Sequence, residues 1–234
     1  MARAVRYEQA DNLLVERTSQ RGISRVTGLA RVIVARRVKK APMLSPPLPR
    51  PRPKKARVKS WQALEPDEMW TFVGHKARKV WLWLWLWLVV GRASRRLVAW
   101  RLGCRGEATL RRLWRGLPAR YRRHCRYFTD EWKAYPNGLP RGPHRPCPEG
   151  EGQTSIAEAL SCSLRQRCGV LVRASGSFSQ DLAMHTARIK LVVDKHNQQI
   201  ILMDYRRNKK LKNVHLRPQF HPEPLAHDPD NFFG

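Results

Sequence analysis

The chain has 234 residues, room for one catalytic domain of ordinary size and a small appendage. Lys and Arg number 46 against 18 Asp and Glu, a formal net charge of +28. Such an excess opposes compaction and is relieved by a polyanion, nucleic acid before an anionic membrane surface. The five cysteines (Cys104, Cys125, Cys147, Cys162 and Cys168) include no pair at the two-residue gap of a zinc knuckle or ribbon. Their number is odd and the opening residues MARAVRYEQADN lack an apolar signal core, which argues against a secreted disulfide framework and for reduced thiols in a cytosolic compartment. Cys162 and Cys168 fall in a helical pattern as packing residues.

Residues 1–40 form the first unit. A short helix is expected over Asn12–Ser19, a second over Ile23–Thr27, a turn at Gly28, and a basic helix over Arg31–Lys40. Ile23, Val26, Leu29, Val34 and Val38 recur at spacings that face one small core. Helix, tight glycine turn and basic helix make the layout of a helix-turn-helix, although a plain basic amphipathic hairpin has the same pattern. Residues 41–59, rich in proline and basic side chains, read as an extended linker.

A unit over residues 60–200 follows. Strands are expected at Met69–Gly74, Val80–Val90, Leu97–Leu102 and Cys125–Thr129. The run VWLWLWLWLVV at 80–90 looks membranous but has 11 residues, where a helix needs about 20 to span a bilayer. With both faces apolar it reads as a buried central strand. Helices are expected over Glu107–Leu117, Ile156–Val172 and Leu182–His196, and a Pro/Gly-rich loop over Pro136–Gly152. Three antiparallel strands, then a helix, a strand and further helices give an α/β fold, a ribonuclease H-like mixed sheet flanked by helices. The tail over 201–234, with His215, His221 and His227 six residues apart, suits neither a helix face nor a zinc site and is expected to be disordered.

Acids are scarce, so their positions are informative. Asp67 lies in EPDEMW, Asp130 in YFTDEW after an apolar strand, and Glu158 on the first turn of a basic helix. Three carboxylates in a basic protein can hold two divalent oxygen-ligated cations about 4 Å apart for in-line phosphoryl transfer. Each acid also has a local alternative. Asp130 can cap the EWKAY segment, Glu158 can pair with Arg165 or favour the helix start, and Asp67 can serve a turn after Pro66. Spacing alone leaves both readings open.

The segments DEMWTFVG (67–74), RRLWRGLPARYR (111–122), YFTDEWKAY (127–135) and SLRQRCGVLVRASGSFSQ (163–180) resemble the transposases of the insertion sequence 1 family. The stretch LVERTSQRGISRVTGLARVIVARRVKK resembles that family's DNA-binding segment, and the similarity covers residues 12 to 197. The resemblance implies an Asp-Asp-Glu triad at Asp67, Asp130 and Glu158 that cleaves and rejoins DNA with Mg²⁺ or Mn²⁺, two ions in all. Trp70, Trp132, Arg165 and His185 also fall on family motif positions. Arg31, Arg36, Arg37, Lys39, Lys40, Arg165 and Arg167 are the expected DNA contacts. Double-stranded DNA is the expected partner, at element ends and target, together with further copies of the chain and no membrane. The expected location is cytoplasmic, on the bacterial nucleoid. The chain departs from the family pattern at Ala174 and Gln180, where lysines are usual, at Leu160-Ser161, at Gly103-Cys104-Arg105, and in lacking a cysteine-rich zinc ribbon. Two other readings compete: an inactive DNA-binding remnant of such a transposase, and a membrane-surface protein driven by the Trp-Leu run and basic charge.

Overall fold

The computed structural model describes residues 2–44, 62–75, 80–148, 151–172 and 178–215. Residues 1–200 form one compact unit and 201–234 a second. Helices α1 (Arg3–Leu14), α2 (Gln20–Thr27) and α3 (Arg31–Leu44) come first. The chain continues with strands β1 (Gln62–His75), β2 (Val80–Gly91) and β3 (Leu97–Gly103) and helices α4 (Glu107–Gly116) and α5 (Ala119–His124). Next are β4 (Cys125–Thr129), α6 (Ala134–Gly138), β5 (His144–Pro146), α7 (Ser155–Arg167) and α8 (Leu182–His215). The sheet order is β3-β2-β1-β4-β5. The β1–β2 and β2–β3 pairs are antiparallel, while β1–β4 and β4–β5 are parallel. This mixed five-stranded sheet with helices is of the α/β class and compatible with the ribonuclease H-like order expected.

The Trp-Leu run is the strand β2, in the middle of this half of the sheet. Successive strand side chains point to opposite faces, so the repeat sorts itself by size. Leu86, Leu88 and Val90 enter a core with Met69, Ala157, Leu160, Ile189 and Val193, under α7 and α8. Trp87 and Val89 enter a second core with Leu64, Leu110, Leu113, Tyr127 and Tyr135, under α4 to α6. Trp87 is fully buried, and its indole N–H donates to the Cys104 carbonyl at 2.9 Å. No described helix is long and apolar enough to cross a membrane. At the edge, Asn197 of α8 clamps Leu97 of β3. Its side-chain oxygen accepts the Leu97 amide at 3.0 Å and its nitrogen donates to the Leu97 carbonyl at 2.9 Å.

Several boundaries differ from expectation for local reasons. The first helix ends at Leu14 instead of covering Asn12–Ser19. Arg17 takes a left-handed backbone (φ 59°), and Ser19 caps α2, its hydroxyl accepting the Gly22 amide at 3.1 Å. Gly28 (φ 68°) closes α2 in the left-handed region that favours glycine. Ala10, Leu14, Ile23, Leu29, Val34 and Val38 make a third core, against which Met184, Ala187 and Leu191 of α8 pack. Val26, expected to face that core, is exposed. Residues 41–44 of the expected linker extend α3, and residues 45–59 lie outside those described. Strand β1 starts at Gln62, well before Met69. Pro66 is tolerated inside it because Gly74, eight residues on and of the same parity, sends its amide to the outer edge (Ser179 carbonyl, 3.0 Å). The amide that proline lacks would face that edge, not β2. The Pro/Gly-rich loop contains α6 and β5. Helix α7 stops at Arg167, because Cys168 turns extended before a 3₁₀ turn at Gly169–Leu171. Cys168 is buried as expected, but Cys162 is exposed. Helix α8 runs to His215, so the tail is helical through that point, while 216–234 lie outside the described residues.

Candidate active site

Strand β1 carries Glu65, Asp67 and Glu68, and alternation sends the odd and even positions to opposite faces. Asp67 faces α7, where its Oδ2 accepts a hydrogen bond from Ser161 Oγ at 2.5 Å. Glu68 faces the other way. Its Oε1 accepts from Arg105 Nε and Nη2 at 3.1 and 3.0 Å, and its Oε2 from the Tyr135 hydroxyl at 2.5 Å. Strand β4 pairs with β1 in parallel at Gln62–Leu64, and counting on from Gln62 opposite Cys125 sets Asp67 level with Asp130. Further along, Ser179 bridges to Val73. Between these two partners the outer edge of β1 carries no strand among the described residues, and Asp67 and Glu68 sit there.

The electrostatics follow from this placement. Burial pushes the Asp67 carboxyl above its ordinary value, the Ser161 and Glu68 hydrogen bonds oppose the shift, and the charges of Asp130 and Glu158 add to it. Burial likewise raises the Glu68 carboxyl, against its bonds to Tyr135 and Arg105, with Asp130 and Asp67 raising it further. Burial and the Glu68 carboxylate hold the Tyr135 hydroxyl well above its ordinary value.

Asp130 is exposed and its Oδ1 accepts the Trp132 amide at 3.0 Å. It therefore braces a turn, since α6 begins only at Ala134. Glu158 is exposed on the first turn of α7, and its Oε1 accepts from Thr154 Oγ1 at 2.7 Å. Among the described residues no group of three or more His, Cys, Asp and Glu is gathered closely enough to hold a metal ion. The donor set itself suits a hard divalent cation, being all carboxylate oxygen. Burial is the main cause of the raised Asp67 carboxyl, and the added repulsion from Asp130 and Glu158 is what a cation would relieve.

The remaining expected residues are dispersed. Trp70 lies 6.1 Å from Phe72 on one face of β1, and Phe178 of the Ser-Phe-Ser segment lies 5.8 Å from Phe72. Ala174 lies outside the described residues. Trp132 packs on the core beneath α4, with the Arg105 guanidinium 3.7 Å from its ring centre. Arg31, Arg36, Lys39 and Lys40 are exposed on α3. Arg37 instead pairs with Asp11 and stacks over Tyr7 at 4.7 Å, and Arg167 donates to Gln199 at 2.9 Å. Arg165 is half-buried on α7. A cleft of about 360 Å³ lined by Asp11, Arg37, Lys40, Leu191, Asp194 and Lys195 includes none of the three carboxylates.

His185 is fully buried on α8, its Nε2 3.1 Å from Thr71 Oγ1 on β1. Burial lowers its pKa from 6.5 to about 4. The unfolded chain therefore takes up the proton first, and stability is lost as pH falls below 6.5. By pH 4 the loss is about 3 kcal/mol. Urea midpoints of the wild type and His185→Gln at pH 7 and pH 4.5 check this. The variant should lose less stability between the two, and parallel losses would contradict it.

Sequence reasoning missed Glu65, Glu68, Arg92, Arg105, Tyr135 and Ser161. The signal was present in LEPDEMW, which places three of 18 acids within four residues. Two of them are buried and need arginine partners that only the fold supplies, Glu65 with Arg92 and Glu68 with Arg105.

Two comparisons bear on this arrangement. The model of a family described as IS1 transposase matches residues 62–199, more than half of the chain and every strand of the sheet. The insertion element iso-IS1n protein InsB of Shigella dysenteriae is 30% identical over 133 residues, covering 56% of this chain and 94% of that protein. The matched span begins with β1, which carries Asp67, and ends on α8, so that β1, the β4 end and α7 all lie within it. On that match, this chain belongs to the IS1 transposase family.

Proposed function

We propose that this chain is a transposase that cleaves DNA at the ends of its insertion sequence and joins them to a target, using Asp67, Asp130 and Glu158 as ligands for two Mg²⁺ or Mn²⁺ ions. The observation that carries the reading is the meeting of three fields. Asp130, the residue after β4, falls level with Asp67 when the β1–β4 register is counted on, and the charges of both Asp130 and Glu158 act on the Asp67 carboxyl. Bound there, divalent ions would activate the attacking oxygen and steady the leaving one. Water and a 3′-hydroxyl can use the same site in turn, because both attack phosphorus in line.

The chain's own residues do the positioning. Ser161 holds one oxygen of Asp67, Thr154 holds one oxygen of Glu158, and the Trp132 amide holds one oxygen of Asp130. A carboxylate has about four lone-pair sites on its two oxygens, so these bonds leave each acid acceptor capacity for a ligand. Asp67 lies where the outer edge of β1 carries no strand among the described residues, and Asp130 and Glu158 are exposed, so a duplex can approach them. Helices α2 and α3 act as the helix-turn-helix, with Arg31, Arg36, Lys39 and Lys40 on phosphates. Two element ends must be cut together, so the working form is a multimer, and a DNA-bound protein of this charge resides on the nucleoid.

The experiment is incubation of the purified chain with supercoiled plasmid in Mg²⁺, Mn²⁺ or chelator, beside Glu158→Gln. Nicking that needs metal and vanishes in the variant is expected. A second reading, a remnant that binds DNA without cutting it, is favoured by the lack of a closed three-carboxylate cluster among the described residues. Retarded but intact plasmid in every lane would establish it.

A further inference from the structure

Arg92 follows β2 directly, and its backbone amide donates to the Ala63 carbonyl of β1 at 3.0 Å. Its guanidinium makes three contacts. Nε donates to Glu65 Oε1 at 2.6 Å, Nη2 donates to the Gln153 carbonyl, and the group lies 4.1 Å from the ring centre of Phe128 on β4. One side chain thus touches β1, β4 and the segment entering α7. These are the three pieces of chain that carry or lead into Asp67, Asp130 and Glu158.

Glu65 completes the link. Its side chain is 1% exposed, and its Oε2 accepts the Ala157 amide at 2.9 Å. Ala157 is the third residue of α7, whose first amides have no partner within the helix. The carboxylate of Glu65 therefore caps α7 from another element, where negative charge also suits the helix dipole. Thr154, the residue before the helix, makes no side-chain cap bond and turns its hydroxyl to Glu158 instead.

A second peg stands one helical turn along, where Ser161 bonds Asp67. The spacings agree. Glu65 to Asp67 is two strand residues, about 6.6 Å, and Ala157 to Ser161 is four helix residues, about 6 Å. Helix α7 is therefore registered along β1 at two points, with Glu158 between them.

We infer that Glu65 and Arg92 are a positioning pair for the active site: they fix the start of α7, and with it Glu158, against β1, which carries Asp67, and β4, which leads into Asp130. The inference rests on the metal-triad reading above. The pair touches no reacting atom. It acts on metal binding through the ligands, as outer partners of ligating carboxylates do.

The test is Mn²⁺ binding to the full chain without DNA, measured by calorimetry, with thermal melts of each protein alongside. The variants are Arg92→Lys, which keeps the charge but loses the fork, and Glu65→Gln, which keeps an acceptor but loses the charge. Arg92→Lys should melt closer to the wild type than Glu65→Gln, which leaves a buried arginine contact without its charge. Each, at temperatures where it is folded, should bind Mn²⁺ about 10- to 100-fold more weakly and lower kcat for plasmid nicking with KM for plasmid unchanged. Faster amide exchange at Ala157 in these variants is the matching local sign. Mn²⁺ affinity within twofold of wild type in the variant that folds would overturn the inference, and so would lowered melting with unchanged affinity. Failure of the wild type itself to bind Mn²⁺ differently from Asp67→Asn would bring down the triad reading, and this inference with it.

Discussion

Asp67→Asn should abolish metal-dependent nicking, leave salt-sensitive plasmid retardation in place, and raise the melting temperature of the metal-free protein. The first part follows from the ligand role proposed for Asp67. A metal site supplies several kcal/mol of transition-state stabilisation, and each 1.4 kcal/mol is tenfold, so the loss is about 10³-fold or more. Retardation survives because the cations on α3 are untouched. The third part follows from the raised carboxyl of Asp67. In the folded protein that group binds its proton more tightly than in the unfolded chain. Without metal, stability therefore falls as pH rises from the ordinary carboxyl range through the raised value. The amide has no charge to desolvate and escapes this loss. Nicking assays and thermal scans at pH 5 and pH 7.5 check the set. A variant that nicks like the wild type would remove Asp67 from the site. A variant that melts lower at pH 7.5 would show that Asp67 is held by something other than its proton.

Trp87→Ala should be the most damaging single change to the fold. Trp87 is completely buried in the core beneath α4 to α6. Its ring meets Tyr135 edge-on at 5.8 Å and 81°, and its N–H satisfies the Cys104 carbonyl. Truncation of a buried tryptophan costs about 3–5 kcal/mol through lost transfer energy and the cavity left behind. A domain's whole stability is about 5–15 kcal/mol, so the variant stands near the unfolding threshold. Urea unfolding followed by circular dichroism reads the effect. Trp87→Phe keeps most of the volume and should recover much of the loss. A midpoint for Trp87→Ala near that of the wild type would mean that the core closes over the gap.

Strands β1 to β4 and helices α2, α3, α4, α7 and α8 were legible because their signals are local, whereas β5 lay hidden in a Pro/Gly-rich stretch and α1 was expected nine residues too late. The Trp-Leu run could be placed as a strand from length and two-sided hydrophobicity, and β4 from five residues between basic segments. The ends of elements were not, because they are decided by distant partners. Arg17 is turned by a bond from its amide to the Arg167 carbonyl, and α7 is started by Glu65. In the site, Asp67, Asp130 and Glu158 could be picked out as scarce acids on separate elements and by family resemblance. Glu65 and Glu68 could not be separated from Asp67 on chemistry alone. What distinguishes them is burial with an arginine partner, which appears only when β2, β3 and β4 are laid beside β1. Arg37 and Arg167 show the reverse case. As basic residues on basic helices they read as DNA contacts, and the fold adds to each a partner within the chain, Asp11 and Gln199, that the sequence does not show.

The alternation that sorts β2 has a cost in uniqueness. Four consecutive Trp-Leu pairs make the strand a ruler with identical graduations. Sliding it by one residue exchanges tryptophan for leucine on both faces and is forbidden by volume. Sliding it by two keeps tryptophan on tryptophan and leucine on leucine within the repeat, and the settings differ only where Trp87 and Leu88 exchange places with the buried valines Val89 and Val90. The correct setting must be read at the strand's aperiodic end, from the bulge between Val89 and Val90 and the turn that follows Gly91. The two valines thus fix the setting of the whole strand: a two-residue slip would press Trp87 into the buried place of Val89 or leave the place of Trp87 to a valine.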